Sequence, residues 1–305
     1  MRKTIRQAFL SIATLSSLAL TIPAGAQTDF SKVEIKTTAL ENGIFMLTGA
    51  GGNIGVSIGE DGIFLIDDQF APLSKKIMAA INELSDKPVR YVLNTHWHGD
   101  HTGGNENFGK TGAVVVAHRN VRERMSTKQF MKAFGREVPP SPNAALPVVT
   151  FSNDVSFYFN GHHIRVMHRP AAHTDGDSVV YFTEPNVLHM GDTFFNGFFP
   201  FIDQSSGGSV TGIVKAAQSA IAMINDETRI IPGHGPIATK ADLVAYQDML
   251  QNVLAAIRPL IKAGQTREQV LAANPLAEIG KTWGNGFMKT GVFTGIVYDL
   301  ETNSQ

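Results

Sequence analysis

Residues 94–105 read NTHWHGDHTGGN and crowd three histidines and an aspartate into a few positions. His96 and His98 stand two apart, so on an extended segment both imidazoles point to the same side and can share one cation. The glycine that follows permits a sharp turn, after which Asp100 and His101 project differently and can reach a second cation. Zinc accepts histidine nitrogen and carboxylate oxygen, whereas calcium and magnesium sites are dominated by oxygen. The stretch therefore predicts part of a site for two metal ions.

Two metal ions need more ligands than this stretch supplies, and the rest of the chain offers three candidates. His173 comes after the predicted strand HIRVMH, Asp192 after VLHM and His234 after TRII. Loops at strand ends are where sheet folds collect functional residues. The predicted ligand sets are His96, His98 and His173 for one cation and Asp100, His101 and His234 for the other. Asp192 would bridge both cations through its two oxygens.

Residues 1–26 have the three parts of an export signal. A basic front is followed by a mostly apolar run, Ala8 to Ile22, and by the small residues of a cleavage site at 24–26. The apolar run is broken by serine and threonine and is short for a membrane span. We therefore expect cleavage after Ala26 and a periplasmic or secreted protein with no stable membrane association.

The composition is that of a globular protein. The 305 residues are 43% hydrophobic, enough to bury a sizeable core, and we expect one domain over residues 27–305. Without the three basic residues of the export signal, 23 Lys and Arg stand against 27 Asp and Glu, a net charge of −4. This charge disfavours a nucleic-acid partner, and a small-molecule substrate is expected instead. No cysteine occurs, so any metal must be held by histidine and carboxylate.

The hydrophobic pattern predicts two sheet-rich halves with helices outside them. Short apolar runs alternate with Gly-rich turns in both halves, and the segment 137–147, with its four prolines, is predicted to be an irregular linker between them. Helical spacing predicts helices near 73–84 and 210–224, and a capping box is predicted to open a helix through Ile261. The predicted fold is a mixed α/β (α+β) fold, a four-layer αββα sandwich.

The pattern resembles the metallo-β-lactamase superfamily, whose signature His-x-His-x-Asp-His is present in full at 96–101. The resemblance extends to the upstream strand GIFLIDD and to the later His, Asp and His motifs in the expected order. It implies the αββα fold, two zinc ions per chain, and hydrolysis of an ester, thioester, lactone, lactam or phosphoester bond. Asp67 matches the family's upstream aspartate, which supports the ligand loop from behind the ligands.

The ligands suggest a mechanism. Two neighbouring cations lower the pKa of a shared water and so provide hydroxide at neutral pH, while one of them polarises the scissile carbonyl. Asp100 is the predicted catalytic carboxylate, which orients the nucleophile or moves its proton. No serine or cysteine nucleophile is required.

The substrate is less well defined by the sequence. The ligand set is similar to that of the cysteine-free dizinc β-lactamases, and an exported enzyme would meet antibiotics. Asp192, however, stands where β-lactamases commonly have Cys or Ser, and it looks more like the family's lactonases and thioesterases. Phe195 replaces a lysine that some β-lactamases use to hold the substrate carboxylate. The segment FFNGFFPFID, residues 194–203, offers either core residues or an apolar substrate wall formed by Phe194, Phe195, Phe198 and Phe199.

Two rival functions remain open at this stage. One is an iron-dependent oxidoreductase on the same fold, which metal analysis would separate from a zinc hydrolase. The other is a metal-binding protein without turnover, although two complete sites argue against storage.

Several other residues are interpreted as structural. Asp175 and Asp177 are predicted to be turn residues, and residues 48–55 are predicted to be a hairpin turn, with a mobile flap as the alternative. The histidines outside the motifs are also taken as structural or surface residues: His118, His162, His163, His168 and His189.

Overall fold

Two β-sheets pack face to face in the computed structural model, which describes residues 29–302. The predicted export signal, residues 1–26, lies outside the described residues. The first sheet contains, in spatial order, β1 (Lys36–Ala39), β2 (Ile44–Thr48), β3 (Ile54–Gly59), β4 (Gly62–Ile66), β5 (Val89–Asn94), β6 (Val114–His118) and β9 (Val149–Phe151). The second contains β10 (Asp154–Phe159), β11 (His162–His168), β12 (Ser178–Phe182), β13 (Val187–His189) and β14 (Arg229–Ile231). A separate hairpin is formed by β7 (Gln129–Met131) and β8 (Arg136–Val138).

Helices cover the outer faces of both sheets. The helices of the described residues are α1 (Ser74–Asn82), α2 (Gly99–Thr102), α3 (Asn105–Lys110), α4 (Arg119–Ser126), α5 (Val210–Met223), α6 (Lys240–Lys262), α7 (Arg267–Ala273), α8 (Ala277–Trp283) and α9 (Thr290–Thr302). None of the helices among residues 29–302 is long and apolar enough to cross a membrane.

Strand β4 explains how the layers are held together. Every residue of β4 is buried, and alternate side chains point to opposite faces of the sheet. Phe64 and Ile66 face the second sheet, where they join a core with Val166 and Val180. The intervening residues of β4 face the other way, toward α1 and α3. A strand buried on both faces needs a continuous apolar run, and the predicted four-layer αββα sandwich is confirmed.

The second sheet is covered in the same way on its outer face. Its side chains Met167 and Val179 pack in one core with Ile213 of α5 and with Leu250 of α6. Helix α5 was predicted from its apolar spacing and α6 from its capping box. Both are confirmed, and the capping box at the start of α6 is present.

The predicted linker needs correction. Residues 137–138 belong to β8 and Asn143–Ala145 form a 3-10 turn, so the segment is not wholly irregular. Strand β9 follows the linker, yet it pairs in parallel with β6 of the first sheet. Proline excludes long regular elements but tolerates short edge pairings and single turns, which explains the difference. The two sheets are therefore divided at residues 152–153.

Candidate metal centre

The predicted ligands converge at one edge of the sandwich, where several strands end. The quoted stretch follows β5, and its Asp100 and His101 lie in α2. Asp192 follows β13 and His234 follows β14, and these two strands are parallel neighbours, so their carboxyl ends lie together. His173 lies in the loop between β11 and β12.

Three histidines form what we call the first ligand group: His96, His98 and His173. Their ligand atoms and a carboxylate oxygen of Asp192 lie within 4.8 Å of one another. Nδ1 of His98 is 2.8 Å from Nε2 of His173. Asp192 Oδ2 lies 3.5 Å from Nε2 of His173 and 3.8 Å from Nε2 of His96.

The second ligand group consists of Asp100, His101 and His234, whose ligand atoms also lie within 4.8 Å of one another. Asp192 Oδ1 is 3.0 Å from Nε2 of His101 and 3.4 Å from Nε2 of His234. Oδ2 of Asp100 lies 3.4 Å from Nε2 of His234. Asp192 therefore turns one oxygen toward each group, which is the arrangement expected of a bridging carboxylate.

Asp67 orients the motif from behind. Its backbone has a φ of 64°, and its carboxylate accepts hydrogen bonds from the amide and hydroxyl of Thr95 at 2.7 and 2.8 Å. The same carboxylate lies 2.8 Å from Nδ1 of His101, and the Thr95 hydroxyl lies 3.0 Å from Nδ1 of His96. These contacts leave Nε2 of both histidines facing the centre, as Asp67's predicted supporting role requires.

The first ligand group has a support that sequence reasoning missed. Asp203 Oδ2 lies 3.0 Å from Nε2 of His98 and accepts a hydrogen bond from Ser206 Oγ at 2.6 Å. Asp203 is the last residue of the segment FFNGFFPFID. A single acidic residue at the end of a phenylalanine-rich run was the sequence feature that could have indicated this role. In the same segment, the Phe201 carbonyl lies 2.8 Å from Nδ1 of His173.

The turn predicted around His173 has a more specific structure than expected. Asp175 forms an ion pair with Arg124 at 2.7 Å, as a surface turn residue can. Asp177 is buried, and its carboxylate accepts the amides of His173 and Thr174 at 2.6 and 2.8 Å. Asp177 thus holds the turn that presents His173, a role that is not visible in its spacing alone.

The hairpin connection between β2 and β3 is tied to the centre. The amide of Gly52 donates to the carbonyl of Asp100, and a Cβ at Gly52 would overlap the imidazole of His101. The Asn53 side chain donates to the carbonyls of Pro232 and Gly235, each at 2.9 Å. These bonds favour the hairpin-turn interpretation of residues 48–55 over that of a flap.

The donor set fits metal ions. Nε2 of His96 is buried and has no hydrogen-bond partner among the described residues. If Nε2 of His98 donates to Asp203 and Nδ1 of His173 to the Phe201 carbonyl, their remaining nitrogens face each other as two acceptors. Buried acceptors need a shared proton or a cation. Histidine nitrogen and carboxylate oxygen are ligands that zinc accepts.

The two groups differ in their affinity for protons. Burial, reinforced by the charge of His101, holds the pKa of His96 well below its ordinary value, and burial lowers the pKa of His173 to about 4. Burial also opposes the charge of His234, but Asp192 and Asp100 outweigh it and raise the pKa of His234 to about 9. Without metal, therefore, His96 and His173 are neutral at pH 7, whereas His234 of the second group holds a proton.

The centre opens into a cleft of about 470 Å³. The side chains of Asp100 and His234 are 28% and 22% exposed, so the second group faces this cleft. Its large apolar walls are Phe70, Trp97, Met131, Phe134, Phe201 and Phe287.

The prediction that four phenylalanines of the segment 194–203 form an apolar substrate wall is wrong for these residues. Phe194, Phe195 and Phe199 are fully buried, and none of the four predicted residues lines the cleft. Phe194 packs on Tyr246 and Phe199 stacks on Phe293, because the segment turns into the core beneath the second sheet. Phe195 stacks on the His234 ring at 5.1 Å, so it supports a predicted ligand from behind.

The remaining histidines lie outside the two ligand groups. His118 and His168 stack on each other at 3.9 Å, and buried His189 contacts the Asn53 carbonyl. His162 contacts the Asn42 carbonyl, and His163 stacks on Tyr158. These contacts agree with the structural interpretation of all five.

This chain is similar in sequence to known proteins. The sequence profile described as Metallo-beta-lactamase superfamily matches residues 48–234, a span that contains both ligand groups. A hydroxyacylglutathione hydrolase of Nitrosococcus oceani is 27% identical over 165 residues, which cover 53% of this chain and 55% of the relative. The 2,4-dinitroanisole O-demethylase subunit alpha of Nocardioides sp. is 25% identical over 143 residues, 46% of this chain and 40% of the relative. The chain thus spans about half the length of the curated relatives it matches.

Solved structures resemble this chain in fold. A metallo-beta-lactamase from Pontibacter korlensis has a TM-score of 0.59 at 20% identity, over 72% of this chain and 100% of that chain. The DIM-1 metallo-beta-lactamase has a TM-score of 0.58 at 19% identity, over 72% of this chain and 99% of that chain. Likeness at this identity concerns the fold alone. Because the matching profile covers more than half of the sequence and contains both ligand groups, the chain belongs to the metallo-beta-lactamase superfamily.

Proposed function

We propose that this protein is an exported hydrolase that binds two zinc ions and cleaves an amide or ester-like bond of a small molecule. The observation that carries the proposal is the carboxylate of Asp192, with one oxygen toward each ligand group. Bound zinc would supply Lewis acidity and lower the pKa of a water at the centre. The cleft beside the second ligand group has the volume of a small-molecule site.

Within this proposal the residues have separate tasks. The first ligand group, held by Asp203 and the Phe201 carbonyl, and the second group, held by Asp67, would bind one cation each. Asp100 is part of the second group and its side chain is 28% exposed toward the cleft, so it can also orient an attacking water or carry its proton. The apolar walls would limit the access of other water molecules.

Esters and thioesters are the first substrates to test, with β-lactams and lactones beside them. A relative named hydroxyacylglutathione hydrolase supports a thioester, and the aspartate at position 192 agrees with that choice. The predicted export signal supports a β-lactam, because an exported enzyme would meet antibiotics.

The test measures metal content and turnover in one preparation. We expect zinc-loaded protein to bind two equivalents and to hydrolyse at least one member of a panel of esters, thioesters, lactones and a chromogenic β-lactam. If zinc supports no turnover and iron restores oxygen consumption, the protein is an oxidoreductase and the proposal fails. If two zinc ions bind and no substrate class reacts, the metal-binding alternative gains support.

His98→Ala provides the matched variant. We expect it to lose the metal of the first ligand group and essentially all hydrolysis, because His98 Nδ1 is one of three nitrogens at that position. His163→Ala, which changes an outer histidine stacked on Tyr158, should keep both. Retained turnover in His98→Ala would contradict the role given to this ligand.

A further inference from the structure

One arginine of the β7–β8 hairpin lines the cleft above the metal centre without an ion-pair partner among the described residues. Arg136 lines the cleft, and of the described lining residues it is the one permanent cation. Its side chain is exposed, and its guanidinium makes a weak contact with Met131 Sδ at 4.0 Å. Arg136 has no carboxylate partner among residues 29–302.

Two neighbouring cations, in contrast to Arg136, have carboxylate partners. Lys128, which directly precedes β7, forms an ion pair with Glu137 at 2.6 Å, and Arg124 of α4 forms one with Asp175 at 2.7 Å. A guanidinium offers a planar fork that matches a carboxylate. An unpaired guanidinium facing a substrate cleft is therefore placed to bind an anionic group of the substrate.

The hairpin is held in place against the metal centre. The Phe134 ring contacts the Phe201 ring at a centroid distance of 5.0 Å, and the amide of Lys132 donates to Ser205 Oγ at 2.9 Å. The carbonyl of Phe201 is the group that contacts His173. The hairpin that presents Arg136 is thus packed on the segment that orients a metal ligand.

Two exposed aromatic rings stand at the same cleft. Phe134 is 53% exposed and Phe287, in the connection between α8 and α9, is 58% exposed, and both line the cleft. Phe287 packs near Phe195 and Phe198, so it is connected to the ring that stacks on His234. Exposed aromatic rings at a cleft contact apolar parts of a ligand.

We propose that the cleft selects substrates that carry both an aromatic or other apolar group and a carboxylate remote from the scissile bond. Arg136 binds this carboxylate, and Phe134 and Phe287 contact the apolar group. This inference rests on the proposed function, because it describes what that centre would hydrolyse.

The experiment uses two pairs of compounds with the same phenyl-bearing acyl chain. In each pair one compound ends in a free carboxylate and the other in a carboxamide. One pair consists of nitrophenyl esters, which report turnover, and the other of non-hydrolysable amides, whose binding to zinc-loaded protein is measured by calorimetry. Turnover tests the proposed function, and the binding pair tests this inference even if neither ester reacts.

Wild-type protein should bind the carboxylate form about tenfold more tightly than the carboxamide form, as for a partly exposed hydrogen bond to a charged group. Arg136→Ala should remove the preference for the carboxylate form, so that the two esters have equal KM and the two amides equal Kd. Arg136→Glu should make the carboxamide form the tighter ligand. Lys132→Ala is the matched control, because it removes one positive charge from the same hairpin at a residue that lines a different cavity. Arg136→Lys should keep part of the preference.

The aromatic part of the proposal has its own control. Phe134→Ala should weaken both compounds about threefold or more and leave their ratio unchanged, because the phenyl group is common to both. Phe130→Ala changes an equally exposed ring that does not line the cleft and should have no effect. The inference is overturned if the carboxylate gives no advantage, or if its advantage survives in Arg136→Ala, which would place the carboxylate on the metal ions instead.

Discussion

At the scale of single residues, the metal centre depends on side chains that are not themselves ligands. Asp203 accepts from His98 and from Ser206, and although burial opposes its charge, these hydrogen bonds lower the pKa of Asp203 to about 2. The carboxylate is therefore ionised at neutral pH and holds the His98 ring with Nδ1 toward the centre. Supports of this kind tune metal affinity as well as ring orientation.

Changing Asp203 tests that role. We expect Asp203→Asn to weaken zinc binding at the first ligand group by about 10-fold to 100-fold, because His98 loses its charged acceptor. Competition with a chromophoric chelator measures the affinity. Ser205→Ala, in the same turn but without contact to His98, is the control, and equal affinities in the two variants would contradict the argument.

A substitution at Gly52 tests how closely the backbone approaches the candidate metal ligand His101. A Cβ at this position would overlap the His101 ring, whose Nδ1 is held by Asp67 at 2.8 Å, so the ring has no free direction in which to move. We expect Gly52→Ala to lose the metal of the second ligand group and to lower turnover about 100-fold. Metal analysis and kinetics measure the two effects.

Gly291→Ala is the control for that substitution. Gly291 lies in α9, where a methyl group would meet no atom within 4 Å, and alanine is the better helix former. Unchanged metal content in Gly52→Ala would show that the contact with His101 is not restrictive.

At the scale of secondary-structure elements, long helix α6 supports the segment that follows Asp192. Its Tyr246 is buried and packs on Phe194, two residues beyond Asp192. The helix begins with a capping box, in which Thr239 and Asp242 each satisfy a backbone amide of the other. The element is therefore stabilised both at its first turn and along its buried face.

Removing the cap should affect stability rather than chemistry. We expect Thr239→Ala to lower the free energy of unfolding by about 1 kcal/mol and the melting temperature by about 2 °C. Calorimetry of the zinc-loaded protein measures this change. Thr282→Ala, an exposed substitution within α8, should cause no loss, and a change in zinc stoichiometry in Thr239→Ala would contradict a purely structural role.

At the scale of the whole molecule, the two halves of the fold place ligand groups of different proton affinity side by side. His234 has a pKa of about 9, so it holds a proton at pH 7 that a cation must displace, whereas the pKa of His173 is about 4. Metal affinity of the second ligand group should therefore rise with pH up to about 9, and that of the first should depend less on pH.

Proton release tests this order. At pH 7, titration with zinc in buffers of different ionisation enthalpy should detect fewer protons released with the first equivalent than with the second. His234→Ala should reduce the release linked to the second equivalent. Equal release in both steps would show that the two groups do not differ in protonation.

Much of this arrangement was already decided by the sequence. The alternating and continuous apolar runs determined the strands, α5 was found where its apolar spacing predicted it, and α6 was found where the capping box predicted its start. The seven candidate ligands, which the structure brings together, could be chosen from the sequence because their residue types and their positions at strand ends are local properties of the chain. The family resemblance depended on the same local motifs.

Tertiary structure alone decided what surrounds these ligands. Asp203 and Asp177 look like ordinary loop residues, and their contacts with His98 and with the amide of His173 arise only when distant segments meet. The burial of Phe194 and Phe199, and the exposure of Phe134 and Phe287 at the cleft, were likewise invisible, because hydrophobicity gives no direction to a loop side chain. Periodicity reports the face of a regular element, whereas loop orientation is set by the packing of segments far apart in the chain.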